Sequence, residues 1–204
     1  MTRLGFLIAR TLRDEAALGR LSVAQSALLD DLADKQVALV GNARALAQTD
    51  HGAQIDAADL VIRINRAPMP APRSHGTRTD WLALATRLDD ADRARIAPGR
   101  MLWMSHKRKR LDWQTATSPG FYLHPLADYQ ALKARLGAQP TTGAMLIDLI
   151  LRSRARRLDL FGFDFFASLS LSGRRTAEQV PHDFGSESAW VAAMESSDRR
   201  IVRH

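Results

Sequence analysis

Apolar positions along the chain alternate between two patterns, and the alternation predicts an α/β fold. Short, largely apolar runs at Val37 to Val40, Leu60 to Ile64 and Met101 to Ser105 suit buried strands. Arg78 to Ala85 carries a strand pattern through Trp81, Leu82 and Leu84, and Phe121 to Leu123 is a shorter strand. Between these runs the apolar spacing changes to three and four. Leu18, Leu21, Ala24, Leu28 and Leu32 predict one amphipathic helix over Arg13 to Lys35. Asp89 to Ile96 reads as a short helix, and Pro125 opens another that runs through Leu136 and stops at Gly137. Met69 to Gly76, with its prolines, reads as a loop.

The first two strands each end in an asparagine, Gly41-Asn42 after one and Asn65-Arg66-Ala67-Pro68 after the other. In an open parallel sheet the carboxyl ends of the strands are where ligands bind, and an amide can donate to a phosphate or accept from a sugar or base. Both residues are equally natural turn formers.

Later in the chain, Gln139-Pro140-Thr141-Thr142-Gly143 leads into the apolar helix AMLIDLILRSRAR and then Leu158 to Phe163. Thr-Thr-Gly at a helix start serves either as an ordinary cap or as an anion cradle of free N–H groups, hydroxyls and helix dipole. Near the end, Val180-Pro181-His182-Asp183-Phe184-Gly185-Ser186-Glu187 precedes SAWVAAMESSDRR, with Ser186 as the expected N-cap and Glu187 at the positive helix start. His182 is then a loop imidazole that is either incidental or a base.

Composition narrows the class. A chain of 204 residues with 46% hydrophobic content fits one globular domain, a helical segment 1–36 packed on a body 37–204. It has no Cys, which excludes disulfides, Cys-ligated zinc and thiol nucleophiles and suits a reducing compartment. The apolar run Gly5 to Ala9 is too short for a signal core or membrane span, so the expected location is cytoplasmic. A net charge of +7 calls for an anionic partner: a nucleotide, nucleic acid, acidic glycan or phospholipid surface.

The basic block His106-Lys107-Arg108-Lys109-Arg110 reads as a solvated loop, or as an anchor for acidic lipid at the inner membrane or for acceptor phosphate. Asp90-Ala91-Asp92, flanked by Arg93 and Arg95, reads as a solvated helix face and not a metal site. Gly41-Asn42-Ala43-Arg44 lacks the further glycines of a dinucleotide fingerprint, and no Gly-Lys-Ser/Thr phosphate loop occurs. No aromatic-rich strand interleaved with Arg or Lys supports nucleic-acid binding.

Taken in order, Val-Gly-Asn at Val40 to Asn42, HGxxID at His51 to Asp56, NRAP at Asn65 to Pro68 and GTRT at Gly76 to Thr79 resemble the large sialylmotif of the sialyltransferases, glycosyltransferase family 29. Pro140-Thr141-Thr142-Gly143 through Gly162-Phe163 resembles their small motif, and His182-x4-Glu187 their very small motif. The resemblance implies a single-domain, GT-A-like variant with a Rossmann-type, mostly parallel central sheet flanked by helices. It implies an inverting, metal-independent transferase with a CMP-linked donor, CMP-sialic acid or CMP-Kdo, a glycan or glycolipid acceptor and no cofactor.

By residue, the resemblance implies donor contacts from Asn42, Asn65, Thr141, Thr142, Gly143 and Gly162, with His182 as catalytic base and Glu187 orienting its loop. Two departures bear on this. The cysteine pair that links the motifs in animal members is replaced by Val37 and a position near Ala155. Residues 164–181 hold neither His nor Tyr, where the family carries a third motif whose His helps bind phosphate. Either Arg174 or Arg175 then takes that role, or the chain is a catalytically silent CMP- or glycan-binding protein.

Overall fold

The computed structural model describes residues 1–164 and 182–204. Among these, seven strands form one sheet: β1 (Gln36–Val40), β2 (Leu60–Ile64), β3 (Trp81–Leu84), β4 (Arg100–Trp103), β5 (Tyr122–Leu123), β6 (Arg157–Phe161) and β7 (Ile201–Arg203). Their spatial order is β5-β4-β3-β2-β1-β6-β7. Every pairing is parallel, so all carboxyl ends lie along one edge.

The strands are short apolar runs because both faces are covered. Val37 and Leu39 enter one cluster with Leu28, Leu132, Leu146 and Val191, while Ala38 and Val40 enter another with Ile55 and Phe161. The same two-residue alternation splits β3, with Trp81 and Ala83 on one face and Leu82 and Leu84 on the other, against Phe6 and Leu18. Helices α1 (Arg3–Leu12), α2 (Glu15–Gly19) and α3 (Gln25–Asp31) precede the sheet, and α4 (Gly52–Asp56), α5 (Pro72–His75), α6 (Asp90–Ile96) and α7 (Trp113–Ala116) lie between successive strands from β1 to β5. They are followed by α8 (Leu126–Leu136), α9 (Thr142–Leu151) and α10 (Phe184–Ser197).

Four local expectations are corrected. The single helix over Arg13 to Lys35 is two helices, preceded by a third that the spacing does not announce. Arg13 turns left-handed at φ 57°, Asp14 caps α2 by accepting from the Ala17 amide, and after Gly19 the chain turns so that Val23 N–H donates to Phe121 O. Within Met69 to Gly76, Pro72 opens one helical turn, α5. Pro125 is the cap position before α8, one residue outside the helix. Lastly, α10 starts at Phe184, because Asp183 is the N-cap and the Ser186 amide and hydroxyl both donate to its carboxylate.

Strand order fixes where a ligand would sit. From β1 the chain adds β2, β3, β4 and β5 outward on one side, then returns with β6 on the other. The loops after β1 and β6 therefore diverge, opening a crevice between these two carboxyl ends, the topological switch point of the sheet.

Candidate active site

At the switch point two backbones run almost in contact. The Gly41 amide donates to Phe161 O, and a Cβ on Gly41 would overlap the Gly162 carbonyl. Gly162 itself has φ 68°, a left-handed value that a side chain would strain. A Cβ on Gly143, in the first turn of α9, would come 2.6 Å from Phe163 Cε1. Gly41, Gly143 and Gly162 thus bring the ends of β1 and β6 and the start of α9 together.

The two strand-end asparagines are fastened to the sheet edge. Asn42 Nδ2 donates to Ile64 O at 3.1 Å, tying the end of β1 to that of β2. Asn65 sits left-handed at φ 55°, and its Oδ1 accepts from the Ala85 amide at 2.9 Å, tying β2 to β3. Turn formation and the position at the ligand edge coexist in both residues. For Asn65 the side-chain carbonyl is committed to the fold.

Thr141 caps α9 through its Oγ1, which accepts from the Ala144 amide at 3.1 Å. The same residue is gripped by Glu187 of α10: Thr141 N–H donates to one carboxylate oxygen at 2.6 Å and Thr141 Oγ1 donates to the other at 2.8 Å. With Thr141 so occupied, the amides of Thr142 and Gly143 are the N–H groups that α9 presents at its positive end. Glu187 is 3% exposed. Burial pushes its carboxyl up to about 7, with the two Thr141 donors pulling the other way and Asp183 adding to the rise.

His182 lies beside this pair. Its Nδ1 is 2.7 Å from the backbone carbonyl of Gln139. A carbonyl only accepts, so Nδ1 carries the proton, and in the neutral ring Nε2 is left as a lone-pair acceptor. Burial lowers its pKa from the ordinary value, the Gln139 carbonyl opposes that, and the positive charge of Lys107 lowers it further. The loop imidazole is thereby held in one orientation with its neutral form favoured. Gln139 and Lys107 are partners that the sequence reading missed. Gln139 contributes only its carbonyl, and Lys107 is hidden in a run of similar charges.

Other motif residues build the scaffold. The Asp56 carboxylate accepts from Thr77 N–H, Thr77 Oγ1 and Arg78 N–H, which splices HGxxID to GTRT and keeps Asp56 below the usual carboxylate range despite its burial. Arg63, the one charge in LVIRI, is 1% exposed and donates to His75 O, Arg78 O and Thr79 Oγ1. Burial brings it down to about 10, with Asp56 and Asp80 opposing.

The basic block is not uniformly a solvated loop. Arg108 is 1% exposed, with Nε and Nη2 on the Glu15 carboxylate and further donations to Ser105 O and His124 O. Lys109 and Arg110 are exposed, His106 stacks on Tyr129 with ring centroids 4.6 Å apart, and the whole block together with Arg13 lines a concavity at the carboxyl end of β4. Arg174 and Arg175 lie outside the described residues. Among the described residues no group of three or more His, Asp or Glu is placed to hold a metal ion.

Residues 17–87 match the sequence model of glycosyltransferase family 29 (sialyltransferase). No curated protein matches the chain significantly in sequence. In fold the chain is similar to a mammalian sialyltransferase solved with Gal-beta-1-3GalNAc-ortho-nitrophenol, at TM-score 0.65 and 19% identity, covering 92% of this chain and 76% of that one. It is also similar to the sialyltransferase CstII from Campylobacter jejuni solved with cytidine-5'-monophosphate, at TM-score 0.57 and 11% identity, covering 84% and 80%. A third similar structure, CST-II with a trisaccharide acceptor and CMP, gives TM-score 0.55 and 12% identity over 83% and 80%. The resemblance read from the motifs thus extends to a family match over the large motif and to a shared α/β fold.

Proposed function

We propose that the chain is a CMP-sugar-dependent glycosyltransferase that moves sialic acid, or a related acidic sugar such as Kdo, onto a hydroxyl of a glycan acceptor. The observation that carries this reading is the pair of anchors on the 139–141 segment, His182 Nδ1 on Gln139 O and the Glu187 carboxylate on Thr141. They set an oriented base beside a helix start suited to an anion, in a fold similar to that of sialyltransferases and with motifs that resemble theirs in order.

His182 Nε2 takes the proton of the acceptor hydroxyl as its oxygen attacks the anomeric carbon. The new carbon–oxygen bond forms on the face opposite the donor phosphate, the bond to the phosphate oxygen breaks, and CMP leaves with its electron pair, inverting the centre. CMP departs as a phosphate monoester, so the N–H groups of Thr142 and Gly143 and the α9 dipole can stabilise the developing charge without a metal. Asn42 and Asn65 face the donor's phosphate and ribose, and Gly162 its cytidine. Arg174 or Arg175 supplies the remaining counter-charge.

A second reading, a silent CMP- or glycan-binding protein, is favoured by the absence of His and Tyr from 164–181. A cytoplasmic location belongs to the proposal as well; among the described residues no helix is long and apolar enough to cross a membrane. CMP release from CMP-sialic acid and from CMP-Kdo, measured over a panel of glycan acceptors, tests the transferase reading. Acceptor-dependent release supports it; tight CMP binding without release from either donor supports the silent binder.

A further inference from the structure

Helix α1 is turned the wrong way round for a soluble surface. Its buried side is only Phe6 and Ala9, whereas Leu4, Leu7, Ile8 and Leu12, at helical spacings of three and four, form a stripe open to solvent. Leu4 is 68% and Leu12 73% exposed, and with Met1 these are the exposed large hydrophobic side chains among the described residues. Such a concentration on one face marks an interaction surface.

The surroundings say what covers it. Met1 to Arg13 contains no acidic residue, and Arg3 and Arg10 flank the stripe. Arg10 donates to Leu111 O, joining α1 to the segment that follows the basic block. Arg13, at the end of α1, lines the same concavity as His106, Lys107, Lys109 and Arg110. Among the described residues Arg3, Arg13, Lys109 and Arg110 make no ion pair. An apolar helical stripe bordered by uncompensated cations is the pattern of a helix lying in the headgroup layer of an acidic bilayer. A symmetric contact between two copies would set these like charges against each other.

We propose that α1, with the 106–110 block beside it, docks the protein on an anionic lipid surface, the Leu4/Leu7/Ile8/Leu12 stripe entering the headgroup layer and Arg3, Arg13, Lys109 and Arg110 meeting lipid phosphates. The block follows β4 at the carboxyl edge of the sheet, the same edge that carries the switch-point crevice, so docking places the mouth of the site near the bilayer. The acceptor is then a membrane-anchored glycolipid, a point that rests on the transferase reading.

The test is co-sedimentation of the full chain with vesicles of phosphatidylcholine alone and of phosphatidylcholine mixed with phosphatidylglycerol. Wild type is expected to pellet with the acidic vesicles, less so as salt rises. Leu4→Ser/Ile8→Ser should reduce the partition coefficient by about tenfold or more, and Lys109→Ala/Arg110→Ala should remove most of the preference for acidic lipid. The substituted side chains are exposed, so circular dichroism should show unchanged folding. Failure of wild type to pellet, or equal pelleting of the Leu4→Ser/Ile8→Ser protein, overturns the proposal. So does a wild-type dimer in sedimentation velocity that this variant dissociates. Calorimetric CMP titration of the same proteins, expected unchanged, separates failure of the lipid surface from failure of the donor reading.

Discussion

The Glu187 carboxylate receives both the backbone N–H and the hydroxyl of Thr141, at 2.6 and 2.8 Å, across 46 residues of chain. One side chain of α10 thus fixes the cap of α9. It does so from a buried position, where its own ionisation is opposed.

That opposition predicts a pH dependence of stability. Folding raises the Glu187 pKa from 4.5 to about 7, so between these values the unfolded chain gives up a proton that the native state keeps. Its contribution is present below about pH 4.5 and declines as pH rises toward 7, by about 3 kcal/mol in all at about 1.4 kcal/mol per pH unit. Glu187→Gln, which cannot ionise, should flatten this slope. Urea unfolding of both proteins from pH 5 to 8 checks it, and equal slopes would mean that Glu187 does not titrate in this range.

His182→Ala should lower transfer by roughly two to four orders of magnitude, because the proposed proton acceptor is gone while the proposed CMP contacts of Asn42, Asn65 and α9 remain. CMP affinity by calorimetry should stay near wild type. Equal turnover with and without the imidazole would remove His182 from the chemistry. His75 and His124 are poor replacements, being 0% and 3% exposed.

The acid side of the rate profile should lie below the ordinary histidine value, since burial and Lys107 both lower the His182 pKa. Activity then falls as pH drops through that lowered value. Lys107→Ala removes one of the two causes, so its acid limb should move to higher pH. An unmoved limb in a kcat/KM profile would show that another group sets it.

Asn65→Ala should weaken CMP binding and also cost about 1 to 2 kcal/mol of stability, because it loses the bond to Ala85 and leaves alanine at φ 55°. Asn65→Gly keeps the backbone angle and loses the bond, so it should recover part of the stability and none of the affinity. Denaturant midpoints beside CMP titrations distinguish the two effects; full affinity in both variants would place the donor elsewhere.

Much of the sheet is legible from local pattern. Val37 to Val40, Leu60 to Ile64 and Trp81 to Leu84 announce their strands because each needs apolar cover on both faces. Thr141 and Gly137 mark helix ends through side-chain oxygen and left-handed backbone, which are local chemistry. The misread parts depend on distant partners. The break between α2 and α3 is fixed by Val23 reaching Phe121, and Arg108 is drawn out of its basic run by Glu15, 93 residues away. The site divides the same way: His182 and Glu187 are readable as motif residues, but Gln139 offers only a carbonyl, which no residue type advertises.

The position of β1 has a consequence for assembly of the chain. It is flanked by β2, whose first paired residue lies 23 positions along, and by β6, paired from 121 positions along. One side of β1 can zip locally while the other waits for most of the chain to be made and for a costly long-range closure. During synthesis the half-sheet β1 to β5 therefore carries an open edge along β1, the surface most prone to wrong pairing. Since Gly162, His182 and Glu187 all lie in β6 or beyond it, the crevice at the switch point forms only when that edge is sealed, and a nascent chain stalled before β6 has Thr141 and the first half of the motifs but not that crevice.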